Sequence, residues 1–174
     1  ALSAIRSFDP IPQDSELAGE AIKSEDPKVV LAGVRLMEKL NPAGLQPYLT
    51  RLLQNNDLSV RLKAVRMALK SDAGKAIEIL GAMLKADDAP VRAQAVTCLM
   101  ICPFDQVFEM LMESLLCETN PDIAQKTLLI LKSNPGAKVL SALDKIKGTR
   151  DPAVSVLVAA ARAELFELIL KFGY

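Results

Sequence analysis

NDLSVRLKAVRMALKSDAGKAIEILGAMLKA, residues 56–86, reads as two helices with a break between them. Asp57 is a good N-cap, because its carboxylate can accept hydrogen bonds from the amides of the first turn. Val60, Ala64, Val65, Ala68 and Leu69 then recur at helical spacing. Ser71-Asp72-Ala73-Gly74 interrupts the pattern, and Ala76, Ile77, Leu80 and Leu84 form a second apolar stripe. The next stretch repeats the plan, with Asp88, Val91, Ala95, Val96 and Leu99, a break near Pro103, then Val107, Met110, Leu111 and Leu115.

Outward from this stretch, Asp-x-x-Val returns at a nearly fixed interval. The caps are Asp26, Asp57, Asp88, Asn120 and Asp151, followed three residues later by Val29, Val60, Val91, Ile123 and Val154, at steps of 31, 31, 32 and 31 residues. A period of this size is the mark of a solenoid, in which each unit packs on its neighbours. Proline placement agrees. Pro27, Pro121 and Pro152 directly follow caps, where a missing N–H costs nothing. Pro42, Pro103 and Pro135 fall in the turns, while Pro47 and Pro90 lie within a first turn. Helix pairs are expected at about 14–40, 44–71, 75–102, 105–133 and 137–172, forming a single repeat domain over 14–174. Residues 1–13, with Pro10 and Pro12, form a tether or the end of an upstream element.

The helix after Asp151 departs from the plan. It runs on through Leu165, Leu168 and Leu170 with no second helix after it, and Phe166, Ile169 and Phe172 make it too apolar for a simple cap. It is expected to pack back on the previous pair, to meet another subunit, or to dock on another part of a longer parent protein.

SVRLKAVRMAL (59–69) and PVRAQAVTCLM (90–100) resemble the Val-Arg-x-x-Ala core of short bacterial HEAT-like repeats of the bilin-lyase type. The resemblance covers about 14–172 and implies an all-α fold, a right-handed α-α superhelix (solenoid) of about five antiparallel helix pairs. It also implies a structural ladder of Asp and Arg along the inner helices, here limited to Asp57, Arg61, Asp88 and Arg92. Val30, Ala124 and Ser155 stand at the other Arg positions. The capped helices of such folds line a concave side.

On those helices the ninth position after the cap holds Arg35, Arg66, Thr97, Leu129 and Ala160. The sixth holds Ala32, Lys63, Gln94, Lys126 and Leu157, and the thirteenth holds Lys39, Lys70, Ile101, Ser133 and Glu164. Equivalent positions in adjacent repeats stack about 10 Å apart. The reading is a groove that is basic at Arg35, Lys39, Lys63, Arg66 and Lys70 and becomes apolar at Leu129 and Leu157. Such a groove suits an acidic peptide or helix with hydrophobic anchors. A solvated face with scattered lysines is the plainer reading of the same residues.

Composition narrows the chemistry. Twenty-one basic and 21 acidic residues cancel, and the chain has no Trp and two Tyr, Tyr48 and Tyr174, so stacking platforms for nucleic acid are scarce. The running charge nevertheless alternates: −4 over 1–27, +5 over 28–92, −5 over 93–125 and +4 over 126–174. There is no His, which removes Ser–His and Cys–His catalysis and His-ligated metals. No glycine-rich phosphate loop is present. Cys98, Cys102 and Cys117 read as buried reduced thiols of a cytoplasmic protein in preference to a disulfide frame, with a redox pair or soft-metal half-site at Cys98 and Cys102 as the functional alternative. Glu109 and Glu113 read as a solvated helix face, with an acidic docking patch, or acid–base work if both were buried in a cleft, as the functional alternatives.

These features lead to the expectation of a non-catalytic protein-protein interaction scaffold without cofactor or metal, forming part of a larger bacterial protein. It would bind a protein or peptide partner, have no membrane span, and be able to self-associate through its C-terminal helix. The alternatives are a nucleic-acid-binding or base-excision protein and a tetrapyrrole lyase or chaperone, both uses of this repeat type.

Overall fold

A computed structural model describes residues 12–146 and 148–173, with side chains from Asp14 onward. Among them are ten α-helices, one 3-10 segment and no strand, the all-α repeat architecture of a solenoid. The expected tether is outside the described residues, apart from its last two, which open the first helix. The chain divides into two compact units after Ala68.

The first unit opens with α1 (Pro12–Ile22) and α2 (Pro27–Leu40). Their packing is close because Gly33 has no side chain. A Cβ there would lie 2.9 Å from the Ala18 carbonyl oxygen and 2.8 Å from the Ala21 Cβ. A 3-10 segment (Pro42–Tyr48) and the short α3 (Leu49–Leu53) follow. Pro47 lies inside the 3-10 segment, where it supplies no N–H to an α-helical ladder. α4 (Leu58–Ser71) turns Val60, Ala64, Val65 and Ala68 into the core, and the division between units falls within it.

The second unit holds α5 (Ala73–Leu84), α6 (Ala89–Leu99), α7 (Phe104–Cys117), α8 (Pro121–Lys132), α9 (Ala137–Asp144) and α10 (Pro152–Phe172). Its core includes Leu80, Val96, Leu99, Leu111, Leu131 and Leu165, all fully buried. α10 packs on α8 and α9, burying Val154, Val158, Ala161 and Leu165. That single 21-residue helix ends at Gly173, whose φ of 72° gives the left-handed geometry that glycine adopts without steric cost.

Four of the caps act alike. Asp26, Asp57, Asn120 and Asp151 each accept first-turn amide hydrogen bonds through Oδ1. Asp88 makes no side-chain capping bond.

Candidate interaction surfaces

The loop before each capped helix must satisfy its own backbone groups, and the position four past the cap serves that end wherever it is polar. Arg61 donates through Nε to the Asn55 carbonyl at 3.1 Å. Arg92 donates through Nη1 to the carbonyls of Ala86 at 2.9 Å and Asp87 at 2.8 Å. The Ser155 hydroxyl accepts from the Thr149 amide at 3.2 Å and meets the Thr149 hydroxyl at 2.9 Å. Where that position is apolar, an arginine from elsewhere in the same unit takes over. At Val30 the preceding loop receives Arg51, whose Nη2 donates to the Lys23 carbonyl at 2.7 Å.

At Ala124 the substitute is more elaborate. Glu118, two residues before the Asn120 cap, accepts the amides of Thr119 and Asn120 at 2.9 Å each. Arg92 grips the same carboxylate with two bonds, of 2.9 and 2.8 Å. Glu118 is only 3% exposed. Burial pushes its carboxyl up, but Arg92 and the two amides outweigh that and hold it below the ordinary value. The Arg92 guanidinium is raised in turn, by its hydrogen bonds to Glu118 and by the charges of Glu118, Asp87 and Asp88. Thus the carboxylate that Arg92 grips is Glu118, with Asp88 of the expected ladder acting at a distance. Asp57 spends its carboxylate on the amides of Ser59 and Val60. Sequence reasoning missed Arg51 and Glu118, because neither falls on the cap-relative rows that carry the period.

The basic residues divide between the units. Arg35 and Lys39 on α2 and Arg66 on α4 are exposed in the first unit, and Lys70 is exposed in the second. Lys63 is a different case. Its Nζ lies 2.6 Å from Glu38 Oε2, so this pair links α2 and α4. Lys63 therefore contributes less free positive charge than its row suggested, and Glu38, on the same face of α2 as Arg35 and Lys39, makes that face mixed. The contact joins the twelfth position of one repeat to the sixth of the next. Long side chains reach diagonally across the helices, so like positions do not have to pair.

In the second unit Lys132 on α8 meets Glu164 on α10 at 2.6 Å. Leu129, one turn before Lys132, is half exposed, and Leu157, two turns before Glu164, is partly exposed on the corresponding side of α10. The outer face of α10 is apolar as well: Val156 is 69% exposed, Phe166 53% and Leu170 70%.

The remaining sequence candidates settle simply. Cys98 is buried, and Cys102 is partly buried, its thiol pushed up to about 11 by burial and the neighbouring Cys98. Cys117 is exposed, contrary to expectation, because it ends α7 at a turn and faces away from the core. No cluster of three metal-ligating side chains occurs among the described residues. Glu109 and Glu113 are solvent-exposed, and Glu113 pairs with Lys85 at 3.2 Å. An open cleft of about 420 Å³ beside the Arg92–Glu118 pair is lined by Lys85, Met110, Cys117 and Arg150. No helix among the described residues is long and apolar enough to cross a membrane.

The family model described as HEAT repeats matches residues 15–100. No curated protein and no solved structure matches the chain. The capped helix pairs, the repeat period and this match are consistent with a HEAT-like repeat superfamily.

Proposed function

We propose that this chain is a non-catalytic scaffold whose first unit binds an acidic segment of a protein partner on the α2–α4 face. HEAT repeats generally serve as protein-interaction scaffolds. The observation that carries the finer reading is the exposure of Arg35, Lys39 and Arg66 around the Lys63–Glu38 bridge. The bridge fixes the two helices, and the exposed guanidinium groups are suited to carboxylates because their planar forks bind them bidentately. Leu129 and Leu157 provide apolar contact area on the second unit. A cytoplasmic bacterial setting, with no cofactor and no nucleic-acid role, completes the reading.

The test is fluorescence polarisation with acidic, leucine-containing helical peptides, comparing the native chain with the Arg35→Glu/Arg66→Glu double variant. Binding should weaken at least about tenfold in the variant and fall with rising salt. Equal affinity for both proteins would remove the α2–α4 face from consideration. Retention of duplex DNA at physiological salt would favour the nucleic-acid alternative.

A second reading is favoured by the exposed apolar face of α10: self-association through that helix.

A further inference from the structure

We infer that two copies of this chain pair antiparallel along α10, with Phe166 of each copy seated on Ala163 of the other and Leu170 on Ala159. The inference rests on the self-association reading above and adds its geometry. Val156, Ala159, Ala163, Phe166 and Leu170 are all exposed, and they recur at intervals of three, four, three and four residues. That is the spacing of a coiled-coil seam, opposite the buried line of Val154, Val158, Ala161 and Leu165. α10 therefore has two apolar faces, and α8 and α9 cover one of them.

The occupant follows from the order of sizes along the seam. In antiparallel pairing, layers form between alternating seam positions of the two helices. One alignment sets Phe166 against Ala163 and Leu170 against Ala159, large on small in every layer, and the dyad repeats each contact. The alternative alignment sets Val156 against Phe166 and Ala159 against Ala163. It would crowd one layer and leave a void in the next, which close packing disfavours. In the favoured alignment Arg162 faces Ile169 and Glu167 faces Ala160, so no like charges oppose across the seam. Arg162 and Glu164 are already paired within the chain, to Asp144 at 3.4 Å and Lys132 at 2.6 Å.

Area is adequate for a modest dimer. Phe166 and Leu170 each leave on the order of 100 Å² exposed, and with Ala159, Ala163, the rim contact of Val156 against Gly173 and the flanking stems two copies would bury roughly 800–1,000 Å² in total, the size of a weak, reversible interface.

Sedimentation equilibrium of the whole chain across micromolar concentrations tests the inference, with circular dichroism as the control for folding. The native chain should dimerise, and Leu170→Glu, at an exposed position, should weaken the dimer at least about 100-fold while leaving helicity unchanged. Ala163→Phe alone should weaken it by crowding Phe against Phe. The swap Ala163→Phe/Phe166→Ala should restore it, because each layer again holds one large and one small side chain. A native chain that stays monomeric overturns self-association and the register together. A dimer that survives Leu170→Glu removes α10 from the interface. A dimer that is lost with Leu170→Glu but not restored by the swap leaves self-association standing and overturns the antiparallel register.

Discussion

Arg92 and Glu118 show how one residue pair can hold a turn that its own repeat cannot. Ala124 supplies no side chain to the loop at 118–120, so Glu118 caps two of its amides and depends on Arg92 for charge balance. Removing one partner of a buried pair strands the other, which typically costs about 3–5 kcal/mol. Arg92→Ala should therefore lower stability by about that much in chemical denaturation, and more than Glu118→Gln, which leaves the less buried Arg92 still bonded to the carbonyls of Ala86 and Asp87. The sign of the pH effect follows from the depressed carboxyl. Its stabilisation is complete above the unfolded carboxyl value of about 4.3 and is lost as pH falls through the lower folded value. The melting temperature of the native chain should thus fall as the pH drops below about 5, and Glu118→Gln should flatten that limb. An equally steep limb in the variant would show that other carboxylates govern it. Arg92 was legible in the sequence, since it lies on the repeating row. Glu118 was not, because its importance comes from a deletion elsewhere, the Arg-to-Ala change at Ala124.

At the scale of helices, the caps and prolines fixed where elements begin, and these are local effects that a sequence exposes directly. The structure separates caps that look alike. Asp151 accepts the amides of Ala153 and Val154, whereas Asp88 makes no capping bond and adds to the field at Arg92. Asp151→Ala should cost about 1 kcal/mol in thermal unfolding, and Asp88→Ala only a few tenths. Equal losses would mean that the two side chains do the same work. The basic face followed the same course. Arg35, Lys39 and Arg66 were readable from helical spacing, but the neutralisation of Lys63 by Glu38 was not. That bridge depends on a diagonal reach between helices, which periodicity within one helix cannot report.

For the whole molecule, repeat architecture makes coupling local: each repeat gains stability from its neighbours. Gly33→Ala would push a methyl into the α1–α2 contact and should cost about 1–3 kcal/mol. Its effect in amide hydrogen exchange should concentrate in α1 and α2, while Arg92→Ala should expose α6 to α8 first. Uniform loss of protection in either variant would indicate one cooperative core instead. By itself the sequence determined the all-α repeat class, the starts of the capped helices and most of the residues turned inward, though not Val29, which is exposed while Val30 is buried, because caps, prolines and apolar spacing act within a few residues of chain. Only the tertiary structure decided which charges are spent and which are left over. Lys63 meets Glu38 and Arg92 meets Glu118 across helices far apart in sequence, and α10 keeps a second apolar face because α8 and α9 cover only the first. Pairings of that kind depend on how helices are placed against one another, which no local pattern encodes.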